Sequence, residues 1–594
     1  MMKKLLKRSE IPENLKWDIK ALYGSEDEYE KDVELMINMS KNFKKDFENK
    51  LNDEKTIIEA IKIYEKIQIL LDHTSNYVSL DISVDMTDDF KNRRQGKYDM
   101  IFSSVLSDIS FFTSELALVE IDILEKCKNS DEKYRVFFED LIMEKPHILS
   151  KDVEQSLSML NLVLESPSNL YENTKQVDIN FGKFDVDGKE YEMSFVKFEN
   201  EYQYETDTNI RRTAYKHFAN KLDMYKHTIA TAYNTQIQKE KILANMRGYD
   251  SVFDYLLFNQ KVTRDMYNRQ IDLIMKNLAP VMRKYASLIK KEHNLDKITF
   301  ADLKLPLYKD YAPQITIEEA KEYVLGALKK LGNEYLEIAS KYDEQRWVDF
   351  AQNIGKSTGG FCASPYQKQP YILLSWTGLL SEVFTLVHEI GHAVHFILAQ
   401  KENSVFSQEP SLYLIEAPST LNEMLLTGYL LENSKDEKFK KWALSCMIEN
   451  TYYHNFVTHL LEADYQRKVY ELVDKGESLN AYILSDLMKE TYSNFWGEDI
   501  ELDTAEYTWM RQPHYYSGLY SYTYSAGLVV STVVSQNILH GNEEYAKNWI
   551  KFLKLGGSKN PIDLCKIAGV DITTDTALNK TINFISKTVD EIAK

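Results

Sequence analysis

The stretch that most restricts the fold is 379–395, where Leu379, Leu380, Val383, Phe384, Val387, Ile390 and Val394 form a helix apolar over much of its circumference. Such a helix must be enclosed on nearly all sides, so the chain needs a large interior. Yet the same stretch carries His388, Glu389 and His392 into that interior. At 100° per residue the two histidines lie one above the other on one face, close enough to share a metal ion, and imidazole nitrogens suit zinc. Glu389 is turned partly aside and reaches a water at such a site rather than the metal, as a general base must. The stretch reads as the centre of a zinc-dependent hydrolase. With 12 histidines in 594 residues, His-Glu-x-x-His arises by chance in roughly a few per cent of chains, so a third ligand is required.

Glu416, 24 residues past His392, is the candidate. Pro418 disfavours helical geometry at Ala417 and is tolerated in a first helical turn, which places Glu416 at a helix start or at a kink. Glu423 falls two turns further along the same face and reads as a partner that orients a ligand histidine. Other histidines fit less well. His395 shares the metal face but lies about 10 Å along the axis, too far for the same ion. His454 and His459, five apart, have the wrong spacing for a shared metal and read as ordinary histidines among aromatic neighbours.

Only 21 Gly and 12 Pro punctuate the chain, too few for a turn-rich all-β protein. From residue 26 to about 164 apolar residues recur at three and four, as in Ile57, Ala60, Ile61, Tyr64, Ile67 and Leu71, the period of packing helices. Residues 183–191 read as a β-hairpin around Asp187-Gly188. A domain boundary is expected there, with an N-terminal helical domain over 1–200 and a catalytic domain over 201–594. A long helix is expected over 207–244 and another helical region over 437–475. Between them, Gly355, Gly359, Gly360, Pro365 and Pro370 surround a β-rich run at 371–376, which predicts a small sheet before the metal helix. A sheet edge there suits pairing with an extended peptide.

Lys+Arg of 72 against Asp+Glu of 91 gives a net charge of −19, which disfavours nucleic acid as a partner. The basic start has no apolar run behind it, and no stretch reaches membrane-spanning length. Four scattered cysteines suit free thiols in a reducing compartment. A cytoplasmic protein with no membrane partner is expected.

His388-Glu389-Ile390-Gly391-His392-Ala393-Val394-His395 followed by Glu416-Ala417-Pro418-Ser419 resembles the zinc metallopeptidases of the thimet oligopeptidase group, and oligoendopeptidase F in particular. The lead-in at 355–362, the Pro370-Tyr371-Ile372-Leu373-Leu374 run, the opening with Glu10-Ile11-Pro12 and Lys16-Trp17-Asp18, and the His- and Tyr-rich segment 511–527 are similar to that family as well. The resemblance implies a mostly α fold, two helical lobes around a deep channel, with a small β-sheet next to the zinc-binding helix. It implies one zinc ion per chain on His388, His392 and Glu416, with Glu389 as general base. Tyr522 is then the oxyanion donor, His514 a substrate or transition-state contact and Tyr515 a weaker candidate. The implied activity is cleavage of short peptides at internal bonds. A metallocarboxypeptidase of similar build, which needs a basic residue for the substrate's terminal carboxylate, and a catalytically silent helical scaffold are the alternatives.

Overall fold

The computed structural model describes residues 6–308, 311, 313–357 and 359–594. The basic start at 1–5 and Thr358 of the lead-in segment lie outside them. The chain is 70% helical, with two small sheets of 2 and 3 strands.

The N-terminal helices follow the apolar period. The helix Glu54–Ser83 starts where Asp53 accepts a hydrogen bond from the Thr56 amide, and its Ile57, Ala60, Ile61, Ile67 and Leu71 are buried. With Glu26–Phe47 and Asp89–Ile109 it encloses a core of its own, reaching from Trp17 to Leu141 and including Tyr371 and Leu373 of the second sheet. The second, larger core runs from Tyr171 to Ile592. The division between cores therefore falls between Leu141 and Tyr171, earlier than residue 200. The hairpin strands β1 (Lys183–Val186) and β2 (Lys189–Glu192) bury Phe184 and Val186 in the larger core rather than closing the smaller one. Asp187 and Gly188 both have positive φ, 52° and 78°, as a tight two-residue hairpin turn requires.

Two expected helices are interrupted. Residues 207–244 form two helices, Thr208–Asp223 and Lys226–Met246, separated at Met224 and Tyr225. Residues 437–475 run as Glu437–Cys446, a π-helical stretch Met447–Thr458, and His459–Asp474.

The second sheet has the order β3 (Val348–Asp349), β5 (Tyr371–Leu373), β4 (Phe361–Ala363), with β3 parallel and β4 antiparallel to β5. The run at 371–373 is thus the central, fully buried strand, and β4 is the edge nearest the metal helix. The buried Asp349 at the end of β3 pairs with Arg8 and, at 2.7 Å, with Lys356, and Trp17 packs edge-on against Tyr371 with ring centroids 5.8 Å apart. The sheet thereby ties the N-terminal lobe to the segment before the metal helix. No single helix among the described residues is long and apolar enough to cross a membrane.

Candidate active site

The helix Glu382–Glu402 carries the His-Glu-x-x-His motif. Its first turn is fixed by Glu382, whose carboxylate accepts hydrogen bonds from the amides of Thr377, Gly378 and Leu379 at 2.8, 2.9 and 3.2 Å. The helix Ala417–Asn433 crosses it with Pro418 in its first turn and Glu416 immediately before it. Gly391, inside the motif, makes that crossing possible: a Cβ there would stand 2.6 Å from Cα of Ser419 and 2.9 Å from the Pro418 carbonyl. Gly527, on the helix Tyr522–Leu539, performs the same service from the other side, since its Cβ would lie 2.9 Å from the Ala417 nitrogen. Two glycines on different helices clamp the backbone at Glu416 against the histidines.

The result is a compact donor set. Oε2 of Glu416 lies 3.4 Å from Nε2 of His388 and 3.5 Å from Nε2 of His392. Tetrahedral zinc with bonds of about 2.0–2.1 Å has donors about 3.3 Å apart, so these three atoms suit one zinc ion with a fourth position open. His388 is held from behind by Glu423, whose Oε1 is 2.7 Å from Nδ1, while Thr451 donates its hydroxyl to the other carboxylate oxygen. With the Nδ1 proton directed at Glu423, the Nε2 lone pair points to the donor set. Burial alone would lower the His388 pKa, but Glu416 and Glu423 outweigh it and raise it well above the usual value; for Glu416, burial is likewise overcome by the two histidines, which hold its carboxyl well below the carboxylate range. Each partner stabilises the charged form of the other. Glu389 is only 6% exposed, and burial raises its pKa, moderated by His388 and His392.

These residues line a cavity of about 900 Å³ whose other walls include Gly360, Phe361 and Cys362 around the edge strand β4, Lys304, and Tyr524. His395 is fully buried, with both ring nitrogens unpartnered, and burial pushes it down to about 3. It is a neutral packing residue.

The tyrosine expected as oxyanion donor is placed elsewhere. Tyr522 is 1% exposed, donates its hydroxyl to Gln260, and packs edge-on against Tyr267. Of the two tyrosines that open this helix, Tyr524 is the one on the cavity wall, which Tyr204 also lines. The helix begins at Tyr522, and residues two apart differ by about 200° around the axis, so only one of the pair can face the donor set. Tyr515 is buried against Tyr233 and Tyr465. His514 lines an adjoining cavity of about 440 Å³, which shares Tyr204, Lys304, His454 and Tyr524 with the first.

Behind Tyr524 stands a cluster that the spacing of its histidines concealed. The His459 ring stacks on Tyr524 with centroids 4.1 Å apart, its Nδ1 is 2.8 Å from Glu462, and its Nε2 is 3.1 Å from Nε2 of His454. Glu462 also accepts from Ser521 at 3.2 Å and lies 3.8 Å from Nδ1 of His514. Burial would raise its pKa, but His459 and His514 bring it down to about 2. Five residues apart means roughly 140° apart on an α-helix. In the π-helical stretch, where hydrogen bonds join residues five apart, His454 comes round to meet His459.

With this geometry in place, the family model for peptidase family M3 matches residues 201–584. The chain belongs to peptidase family M3. Residues 115–181 match the oligopeptidase F model for an N-terminal region of M3 peptidases. This M3 peptidase is 29% identical over 591 residues to oligopeptidase PepF of Bacillus subtilis, covering 98% of this chain and 88% of that one. It is 28% identical to an oligoendopeptidase F homolog of Borreliella burgdorferi, over 99% of this chain and all of that one. Among solved structures, a peptidase from Chlamydophila abortus superimposes with a TM-score of 0.85 at 24% identity over 99% of both chains. Oligoendopeptidase-F from Enterococcus faecium gives 0.74 at 22% identity over 96% of this chain and 98% of that one. At these identities the superpositions speak for the fold. Family membership sets aside the reading as a silent scaffold.

Proposed function

We propose that the protein is a cytoplasmic zinc metalloendopeptidase that cuts short peptides at internal bonds, with zinc on His388, His392 and Glu416 and with Glu389 as general base. The observation that carries this is the donor triangle with edges of 3.4 and 3.5 Å at Glu416, set in the wall of a large cavity next to a buried glutamate. Bound zinc supplies a Lewis acid that polarises the scissile carbonyl and acidifies a water. Glu389 takes the proton from the attacking water and delivers it to the leaving amine; its raised pKa suits both halves of the transfer. Tyr524, in place of Tyr522, donates its hydroxyl to the oxyanion that develops on the substrate carbonyl. His459 behind its ring and Glu462 behind His459 fix its direction. His514 contacts the substrate beyond Tyr524, in the adjoining cavity.

The substrate backbone pairs with the edge strand β4, at 361–363, rather than with the central run at 371–373, whose two sides are already bonded. Backbone pairing reads little of the sequence, so side-chain tolerance is broad. Incubation of the zinc-loaded enzyme with a ladder of peptides and with casein, read by mass spectrometry, tests the reading. Internal cuts in short peptides and negligible casein breakdown are expected. Stepwise loss of C-terminal residues would favour the carboxypeptidase, and efficient casein degradation would reject substrate selection by the cavity.

A further inference from the structure

Lys304 stands at the junction of the metal-site cavity and the adjoining 440 Å³ cavity, contributing to the wall of both. Its segment is pinned. Asp302, fully buried, pairs with Arg211 at 2.5 Å and with Arg212 at 2.9 Å, and the Pro306 carbonyl meets Nε2 of His293 at 2.8 Å. The Leu307 amide donates to Glu449 at 2.7 Å. The backbone that carries Lys304 is therefore held in place before any ligand arrives.

No carboxylate among the described residues forms an ion pair with its ammonium, whose contact is the Tyr453 ring at 4.9 Å. The neighbouring acids are engaged elsewhere. Glu199 bonds Arg511 at 3.0 Å, Glu462 bonds His459 at 2.8 Å, and Glu449 bonds Tyr285 at 2.7 Å. Arg511 adds a second cation to the smaller cavity, and its Nε is buried without a partner. Burial, then Arg511, pushes the Lys304 ammonium down to about 8, so at neutral pH it is still largely charged and lacks a counter-ion. A half-buried, unpaired cation beside a reaction site is an anion receptor, because an incoming carboxylate gains the pairing that the protein withholds.

We infer that Lys304, with Arg511 behind it, forms a subsite for a carboxylate of the peptide substrate, the free C-terminus or an acidic side chain beyond the cut bond. This rests on the peptidase reading and adds to it a preference: substrates are selected by where their negative charge falls relative to the scissile bond. A free terminus held there fixes how many residues follow the cut, and so couples peptide length to cleavage position without any contact to side chains.

The test uses the zinc-replete full chain and two matched pairs of quenched peptides, one pair differing in a free acid or amide C-terminus, the other in Glu or Gln on the C-terminal side of the cut. Wild type, Lys304→Arg and Lys304→Met are compared. The expected result is a loss of about tenfold or more in kcat/KM for the uncharged member of one pair, carried mainly by KM. Lys304→Met abolishes that difference and Lys304→Arg keeps it, with zinc content and melting temperature unchanged in both. The pair that responds names the source of the carboxylate. Less than twofold discrimination by wild type in both pairs, or a preference that survives intact in Lys304→Met, overturns the subsite while leaving the peptidase reading in place. Wild type inert on all four peptides would instead strike the peptidase reading.

Discussion

The carboxylate of Glu423 stands 2.7 Å from Nδ1 of His388, on the far side of the ring from Glu416. Two glutamates of one segment therefore face one histidine at its two nitrogens, Glu416 as the proposed fellow ligand and Glu423 as the partner that orients the ring. Replacing Glu423 with Ala leaves the three donors in place but frees the ring and its tautomer. Zinc affinity, measured by competition with a chromogenic chelator, should fall by roughly 10- to 100-fold. Unchanged affinity would mean that packing alone orients His388.

Tyr524→Phe should lower kcat by about 10²- to 10³-fold with KM little altered, as loss of one oxyanion donor does. Tyr522→Phe removes a hydroxyl bonded to Gln260 and should act on stability rather than on turnover. Steady-state kinetics of the two variants side by side checks this. A kinetic defect in Tyr522→Phe alone would restore the tyrosine first expected from the sequence.

The metal motif and the helix bearing it are legible in the sequence because ligand spacing and helical period are both local. Glu416 is legible as a candidate, though Pro418 leaves a helix start or a kink open there, and the helix Ala417–Asn433 makes it a start. The choice between Tyr522 and Tyr524 is not: the helix they open is apolar on nearly every side, so its sequence does not fix which face meets the donor set. His454 and His459 do read as histidines among aromatic neighbours, but their mutual contact is not legible, because it depends on a π-helical stretch that an α-helical period does not describe. The order of the three short strands is set by long-range pairing, with β3 and β4 each bonding to a strand more than seven residues away in sequence, and alternation within three residues carries no such information. Gly391 was visible as a residue, but its role depends on Ser419 approaching from another helix.

Away from the site, Glu240 is buried between Tyr470, whose hydroxyl it accepts, and Gln236, which donates to it at 2.9 Å. Burial raises its pKa from 4.5 to about 7. Below pH 4.5 both folded and unfolded chains hold the proton, and no penalty exists. Between about pH 4.5 and 7 the unfolded chain ionises first, so stability falls as pH rises, and above 7 the cost is complete at about 3 kcal/mol. Glu240→Gln keeps an acceptor and offers an amide to the unpartnered Oε1 of Gln236. Urea midpoints should therefore shift in the variant's favour between pH 5 and pH 8. A gap independent of pH would show that Glu240 is already ionised at pH 5.

In the proposed mechanism Glu389 acts on a water at a metal site that it does not itself build. The most direct measurement is kcat on a quenched peptide, taken together with bound zinc by elemental analysis, for Glu389→Gln against wild type. Because His388, His392 and Glu416 remain, the variant should hold one zinc per chain while kcat falls by several orders of magnitude. A variant that keeps its zinc and retains substantial turnover would contradict the role of Glu389 as general base.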